Sequence, residues 1–191
     1  MLTTIFLMIV DAVISLLSIT LLLRFYMQWM RVSFRNQIGG FVTQLTNWLV
    51  VPLRRFVPSL GGLDLSSLVP AILLQAIEIA VVLWLRGTPL GIDPVRLAAV
   101  VLAVGVLEVI RLSVWLLIIV VIMSAVLSWI SPYSPISPIL NNLARPFLRP
   151  FQKIIPPIAN IDLSPLVLLL ILQIVLMVIG QVRLSLLPVL I

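Results

Sequence analysis

Four long apolar runs constrain this chain more than any other feature. They lie at roughly Ile5–Met30, Ser66–Leu85, Leu97–Ile130 and Pro165–Val182. At ~1.5 Å of rise per residue, about 20 helical residues cross a hydrocarbon core ~30 Å thick. The bulk composition agrees, with 62% of residues hydrophobic, 9% charged and a mean hydropathy of +1.31. A soluble domain carries about 45–50% apolar and about 25% charged residues. The predicted fold is therefore an all-α membrane protein with four transmembrane helices. The first run lacks the basic leader and small-residue cleavage site of a signal peptide, so it is read as a span. The third run is too long for a simple crossing. Either it tilts and projects beyond the bilayer, or Leu97–Leu107 is a short lead-in to a span centred on Ser113–Ile130.

The spans are separated by basic, proline-marked segments, 31–63 and 131–161, and these contain a repeat. Pro52–Ser66 (PLRRFVPSLGGLDLS) returns as Pro150–Ser164 (PFQKIIPPIANIDLS), 98 residues later without a gap. Across 52–75 and 150–173, nine of 24 positions are identical, including Pro, Asp, Ser and Gln, which shared hydrophobicity does not explain. The chain thus divides into two tandem units, 1–96 and 97–191, each a helix, a basic interfacial segment and a second helix. Two crossings per unit return the chain to its starting side. Both units then insert the same way round, about a pseudo-two-fold axis along the membrane normal, unlike the inverted repeats of many transporters.

Within the first basic segment Phe41, Leu45, Trp48, Leu49 and Phe56 recur at helical spacing, with Gly39-Gly40 and Gly61-Gly62 as breakers and Pro52 and Pro58 as stops. In the second, Leu140, Leu143, Phe147, Phe151 and Ile154 form the apolar side. Each reads as an amphipathic helix in the membrane interface. Ser66 and Ser164, the latter followed by Pro165, read as helix N-caps, with Asp64 and Asp162 near the positive end of the helix dipole. The link Arg86–Arg96, with Gly87, Pro89, Gly91 and Pro94, reads as a tight turn, and Arg183 and Pro188 close the chain. Eight Lys/Arg (24, 31, 35, 54, 55, 145, 149 and 153) lie on the basic side and three (86, 96 and 183) on the other. That bias places the basic loops in the cytoplasm and both termini outside.

Leu143–Pro165 (LARPFLRPFQKIIPPIANIDLSP) and Trp48–Ser66 resemble the signature of the YggT/YlmG family of bacterial membrane proteins. Arg24–Trp29 (RFYMQW) and Ser124–Trp129 look like that family's helix ends before each loop. The first copy departs by reading Gly-Gly-Leu-Asp-Leu-Ser and by lacking a proline after Ser66. The resemblance implies an integral inner-membrane protein associated with osmotic or envelope stress tolerance and, in relatives, with cell division or sporulation. A plastid branch is linked to haem attachment on a b-type cytochrome. It supplies no catalytic residues to carry over.

The chain has no Cys and no His. It therefore lacks thiolate chemistry and the commonest metal and haem ligands, and no cofactor is expected. Its net charge of +6 sits beside apolar runs and without a basic-aromatic platform, which favours anionic lipid headgroups over nucleic acid as the partner. Arg54, Arg55, Arg145, Arg149 and Lys153 are the candidate contacts to lipid or to envelope and division proteins. Within the spans stand Asp11, Gln75, Glu78, Glu108, Arg111 and Gln173, the last mirroring Gln75. Glu108 and Arg111, at i and i+3, can pair on one face. Two uses of these polar residues stay open: hydrogen bonds and ion pairs that fix helix packing, or a polar track for a cation or proton. The leading expectation is a non-enzymatic accessory or scaffold protein of the envelope, with a small cation transporter or channel as the alternative. An intramembrane enzyme would lack any nucleophile–base pair.

Overall fold

The computed structural model describes residues 1–57, 62–87, 93–131, 133–155 and 162–186. They form six helices: α1 Leu2–Trp29, α2 Gln37–Leu53, α3 Leu65–Arg86, α4 Pro94–Ile130, α5 Ser137–Ile154 and α6 Ser164–Leu186. Four of these, α1, α3, α4 and α6, are long and apolar enough to cross a membrane. The chain is an all-α membrane protein. Pro58, Gly61, Pro89, Gly91, Pro132, Pro156, Pro157 and Pro188 lie outside the described residues.

The third apolar run is one unbroken helix of 37 residues, about 55 Å long. Leu97–Leu107 is thus part of the span helix and not a separate lead-in. The reason is packing: α4 is the central helix, in contact with α1, α3, α5 and α6. Its early turns already bury Val104, Gly105, Glu108 and Val109. Gly105 lies against α3 so closely that a Cβ there would stand 3.2 Å from the Ala76 backbone nitrogen. Small residues at such crossings let backbones approach and gain dispersion contacts that lipid cannot supply.

The two shorter helices each join their neighbours. α2 packs on α1 and α3, and α5 on α4 and α6. α5 buries Ile139, Leu140, Leu143, Ala144 and Leu148, while Arg145, Arg149 and Lys153 stay exposed. Ile154, counted on its apolar side, is exposed. α2 turns Val42, Thr46 and Val50 inward and leaves Phe41, Trp48 and, just beyond it, Phe56 exposed. Its inward face is therefore not the aromatic one.

Gly39 and Gly40 do not break α2; they form its first turn. Asn36 caps that turn by accepting from the Gly39 N–H at 2.7 Å, and a Cβ on Gly39 would strike the Phe34 backbone. Nor is Ser66 the cap of α3. Asp64 holds the N-cap position, and Ser66, in the first turn, donates instead to the Val57 carbonyl at 2.8 Å. α6 begins at Ser164 itself, whose N–H donates to Asp162 Oδ1 at 2.9 Å.

The Gly105 contact gives a graded expectation. Gly105→Ala asks for a shift of a few tenths of an ångström, whereas Gly105→Leu must drive α3 and α4 apart and costs about 1–3 kcal/mol as an overpacked core. Thermal unfolding of the purified protein in detergent should rank wild type, Ala and Leu in that order. A Leu variant with unchanged Tm refutes the contact.

Candidate functional site

Five of the six intramembrane polar positions converge. Asp11 and Ser15 on α1, Gln75 and Glu78 on α3, Glu108, Arg111 and Trp115 on α4, and Arg183 on α6 line one cavity of about 310 Å³. Helical spacing explains the grouping. Residues 11 and 15, 75 and 78, and 108 and 111 are each three or four apart, so each pair shares a face. Asp11 lies nine residues into α1 and Glu78 eight residues before the end of α3, both about 12–14 Å along the helix axis. The cavity therefore sits toward the end of the bundle where α1 begins and α3 ends, away from α2 and α5.

Its charges are partly paired. Glu108, buried, meets Arg111 Nη1 at 3.1 Å through Oε2 and Arg183 Nε at 2.7 Å through Oε1. The Arg183 N–H does not point at Oε1, so that second contact is an ion pair without a hydrogen bond. Gln75, also buried, donates from Nε2 to Ser18 Oγ at 3.2 Å. Glu78 differs: its Oε2 is buried and has no hydrogen-bond partner, and Glu78 forms no ion pair among the described residues. Three carboxyl groups face two guanidinium groups in the cavity, and Glu78 stands beside the Asp11 carboxyl. Such a site suits a proton or a small cation and repels anions.

From sequence Arg183 is only a charge at the end of the last span; the structure brings it into this cavity against Glu108. The signal was available. α4 and α6 run antiparallel, so the early turns of α4 that carry Glu108 stand level with the last turns of α6. Gln173 is not part of the cavity; it is exposed on the outer face of α6.

At the opposite end the duplicated motif forms a clip. Arg54 Nη2 donates to Asp64 Oδ2 at 3.0 Å and to Gln28 Oε1 at 3.1 Å. Ser67 donates to the same Asp64 oxygen at 2.7 Å. In the second half Gln152 Nε2 donates to Asp162 Oδ2 at 2.8 Å. Positions 152 and 162 stand 98 residues after 54 and 64, so the same pair of positions closes each loop. Burial works against ionisation of Asp162, but the hydrogen bonds from Ser164 and Gln152 outweigh it and hold its carboxyl below the usual range. Arg24, one of the cations of the basic side, is buried and donates from Nη1 to Thr46 Oγ1 at 2.7 Å and Asn47 Oδ1 at 2.9 Å, tying α1 to α2.

Arg54 is thus engaged within the chain. Arg55, Arg145, Arg149 and Lys153 are exposed and form no ion pair among the described residues. Arg145 also lines a cavity of about 310 Å³ with Ser124, Asn141, Asn142, Leu148 and Gln152.

The CCB3/YggT family model matches residues 3–85 and 103–183. The chain belongs to the CCB3/YggT family. YggT of Escherichia coli (strain K12) is 34% identical over 173 residues, 90% of this chain and 87% of the relative. An uncharacterized protein of Pseudomonas aeruginosa is 34% identical over 163 residues, 84% of this chain and 81% of the relative. A protein encoded in the proC 3′ region of Vibrio alginolyticus is 32% identical over 165 residues, 86% and 87% of the two chains. No solved structure matches.

The clip carries a prediction through its asymmetry. Asp64 is fully buried and Asp162 is exposed. Arg54→Ala leaves a buried carboxylate without its cation and costs about 1–3 kcal/mol, whereas Gln152→Ala costs within about 0.5 kcal/mol. Denaturation of both variants in the same detergent checks this; equal losses would refute it.

Proposed function

We propose that this CCB3/YggT family member is a non-enzymatic accessory or scaffold protein of the bacterial inner membrane. Its basic loops lie on the cytoplasmic leaflet and hold anionic lipid headgroups beside envelope or division proteins. The observation that carries this reading is the outward row Arg145, Arg149 and Lys153 on α5, spaced four residues apart with no carboxylate partner among the described residues. Cations near an anionic leaflet contribute about 1 kcal/mol each. The apolar side of α5 faces the bundle, so the helix lies with its charged side toward headgroups and water. The Arg145 cavity, lined also by Asn141, Asn142 and Gln152, supplies further donors for a phosphate. Exposed Trp48 and Trp129 at the same end suit interface anchoring.

The test is lipid retention. Protein extracted into native-lipid nanodiscs should be enriched in anionic phospholipid over the bulk membrane. Replacing Arg145, Arg149 and Lys153 together by Gln should remove that enrichment while leaving the protein folded. Enrichment that survives the triple replacement overturns the reading.

The cavity around Glu78 favours a second reading, a small cation or proton carrier active under osmotic stress. A buried carboxylate oxygen without a partner is costly in hydrocarbon, and a bound cation or proton would relieve that cost. Proteoliposomes should then show cation or proton flux that Glu78→Gln abolishes. Glu108→Gln should instead disturb folding first, because it strips two arginines of their counter-ion. Absence of flux from well-folded wild-type protein removes this reading.

A further inference from the structure

Gln173 has no place in any site described so far. It stands nine residues into α6, about 14 Å along the axis, close to the middle of a ~30 Å hydrocarbon core. It is exposed there. A primary amide facing acyl chains leaves two donors and an acceptor unmet, and lipid tails offer nothing to either. Its counterpart 98 residues earlier is satisfied within the chain: Gln75 is buried and donates to Ser18. The same residue type thus finds its partner inside the first half and lacks one in the second.

The surroundings of Gln173 repeat regularly. Leu166, Leu170, Gln173, Met177, Gly180 and Leu184 follow one another at intervals of four and three residues along α6. That is a 3.5-residue period, the spacing of a seam between two supercoiled helices. The five with side chains are all exposed. A Cβ on Gly180 would meet nothing within 4 Å, so an outside helix can approach closely there. α6 makes its contacts chiefly with α4 and α5, whereas α3 is held by α1, α2 and α4. The seam lies within the wide arc of α6 that has no neighbour, where Ile171, Ile174 and Val178 are exposed as well, and it is the part of that arc that carries the amide and the glycine.

We propose that a second copy of this chain covers the seam, α6 against α6, about a two-fold axis along the membrane normal. The amide argues for a like partner. A carboxamide is donor and acceptor at once, so two Gln173 side chains facing each other across a two-fold axis satisfy one another. Copies of one chain insert the same way round, which brings residue 173 to the same depth in both. An isologous contact of this kind closes at two subunits and leaves no open edge. Leucine and methionine at the flanking seam positions supply the packing surface, and Gly180 the close approach.

Disulfide mapping tests the arrangement, because the chain has no cysteine of its own. Leu170→Cys, Met177→Cys and Leu184→Cys should each give, on mild oxidation in native membranes, a linked species of twice 21.2 kDa. Val175→Cys and Val182→Cys, exposed on the other side of α6, should give far less. All five positions face outward, so the substitutions leave the bundle packing untouched. In lipid, Gln173→Leu should weaken self-association by about three- to tenfold, and Gln173→Asn should retain it. Linkage equal on both sides of α6, no linked dimer at any seam position, or association indifferent to Gln173→Leu overturns the proposal.

Discussion

The two halves of this protein meet where α4 packs on α3 and α1, and Gly105 comes up against Ala76 there. Within a bilayer, apolar side chains gain nothing by leaving lipid for one another, so helix association depends on close backbone approach and on polar groups that find partners. α4 uses both. Its glycine admits α3, and Glu108, one turn later, gathers Arg111 from its own helix and Arg183 from α6. A charge inside the membrane is tolerable only with partners of this kind. The position of the polar cavity follows from where α3, α4 and α6 are drawn together.

Much of this was legible in the sequence. Four apolar runs of spanning length place the helices, because only helices satisfy their own backbone in hydrocarbon. Asp11, Glu78 and Glu108 stand out because charge in an apolar run needs a reason. What sequence could not deliver was context. Whether Leu97–Leu107 belongs to the span stays open in the sequence, because what decides it is the approach of Gly105 to Ala76 on another helix. Arg24 and Arg54 look like surface cations in a basic loop, yet one ties α1 to α2 and the other neutralises a buried aspartate. Composition cannot tell a cation that faces phosphate from one that faces a carboxylate. Helix starts misled for a related reason. Ser66 has the right type for a cap, but a carbonyl at Val57 competes for its hydroxyl and leaves the N-cap position to Asp64.

The places where the two halves differ are more informative than those where they agree. At 54 and 152 an arginine becomes a glutamine; at 64 and 162 a buried carboxylate becomes an exposed one; at 75 and 173 a satisfied amide becomes an open one. The last two differences run the same way. At 64 and 75 the first half buries the group inside the bundle, and at 162 and 173 the second half leaves its counterpart exposed. The unpaired row on α5 belongs to this pattern, since Arg145, Arg149 and Lys153 all lie in the second half. Burying a polar group without a partner costs more than any single surface contact returns, so outward polar groups in a membrane protein require something outside the chain to meet them. The proposed lipid contact on α5 and the proposed second copy on α6 both fall on this outward side of the second half.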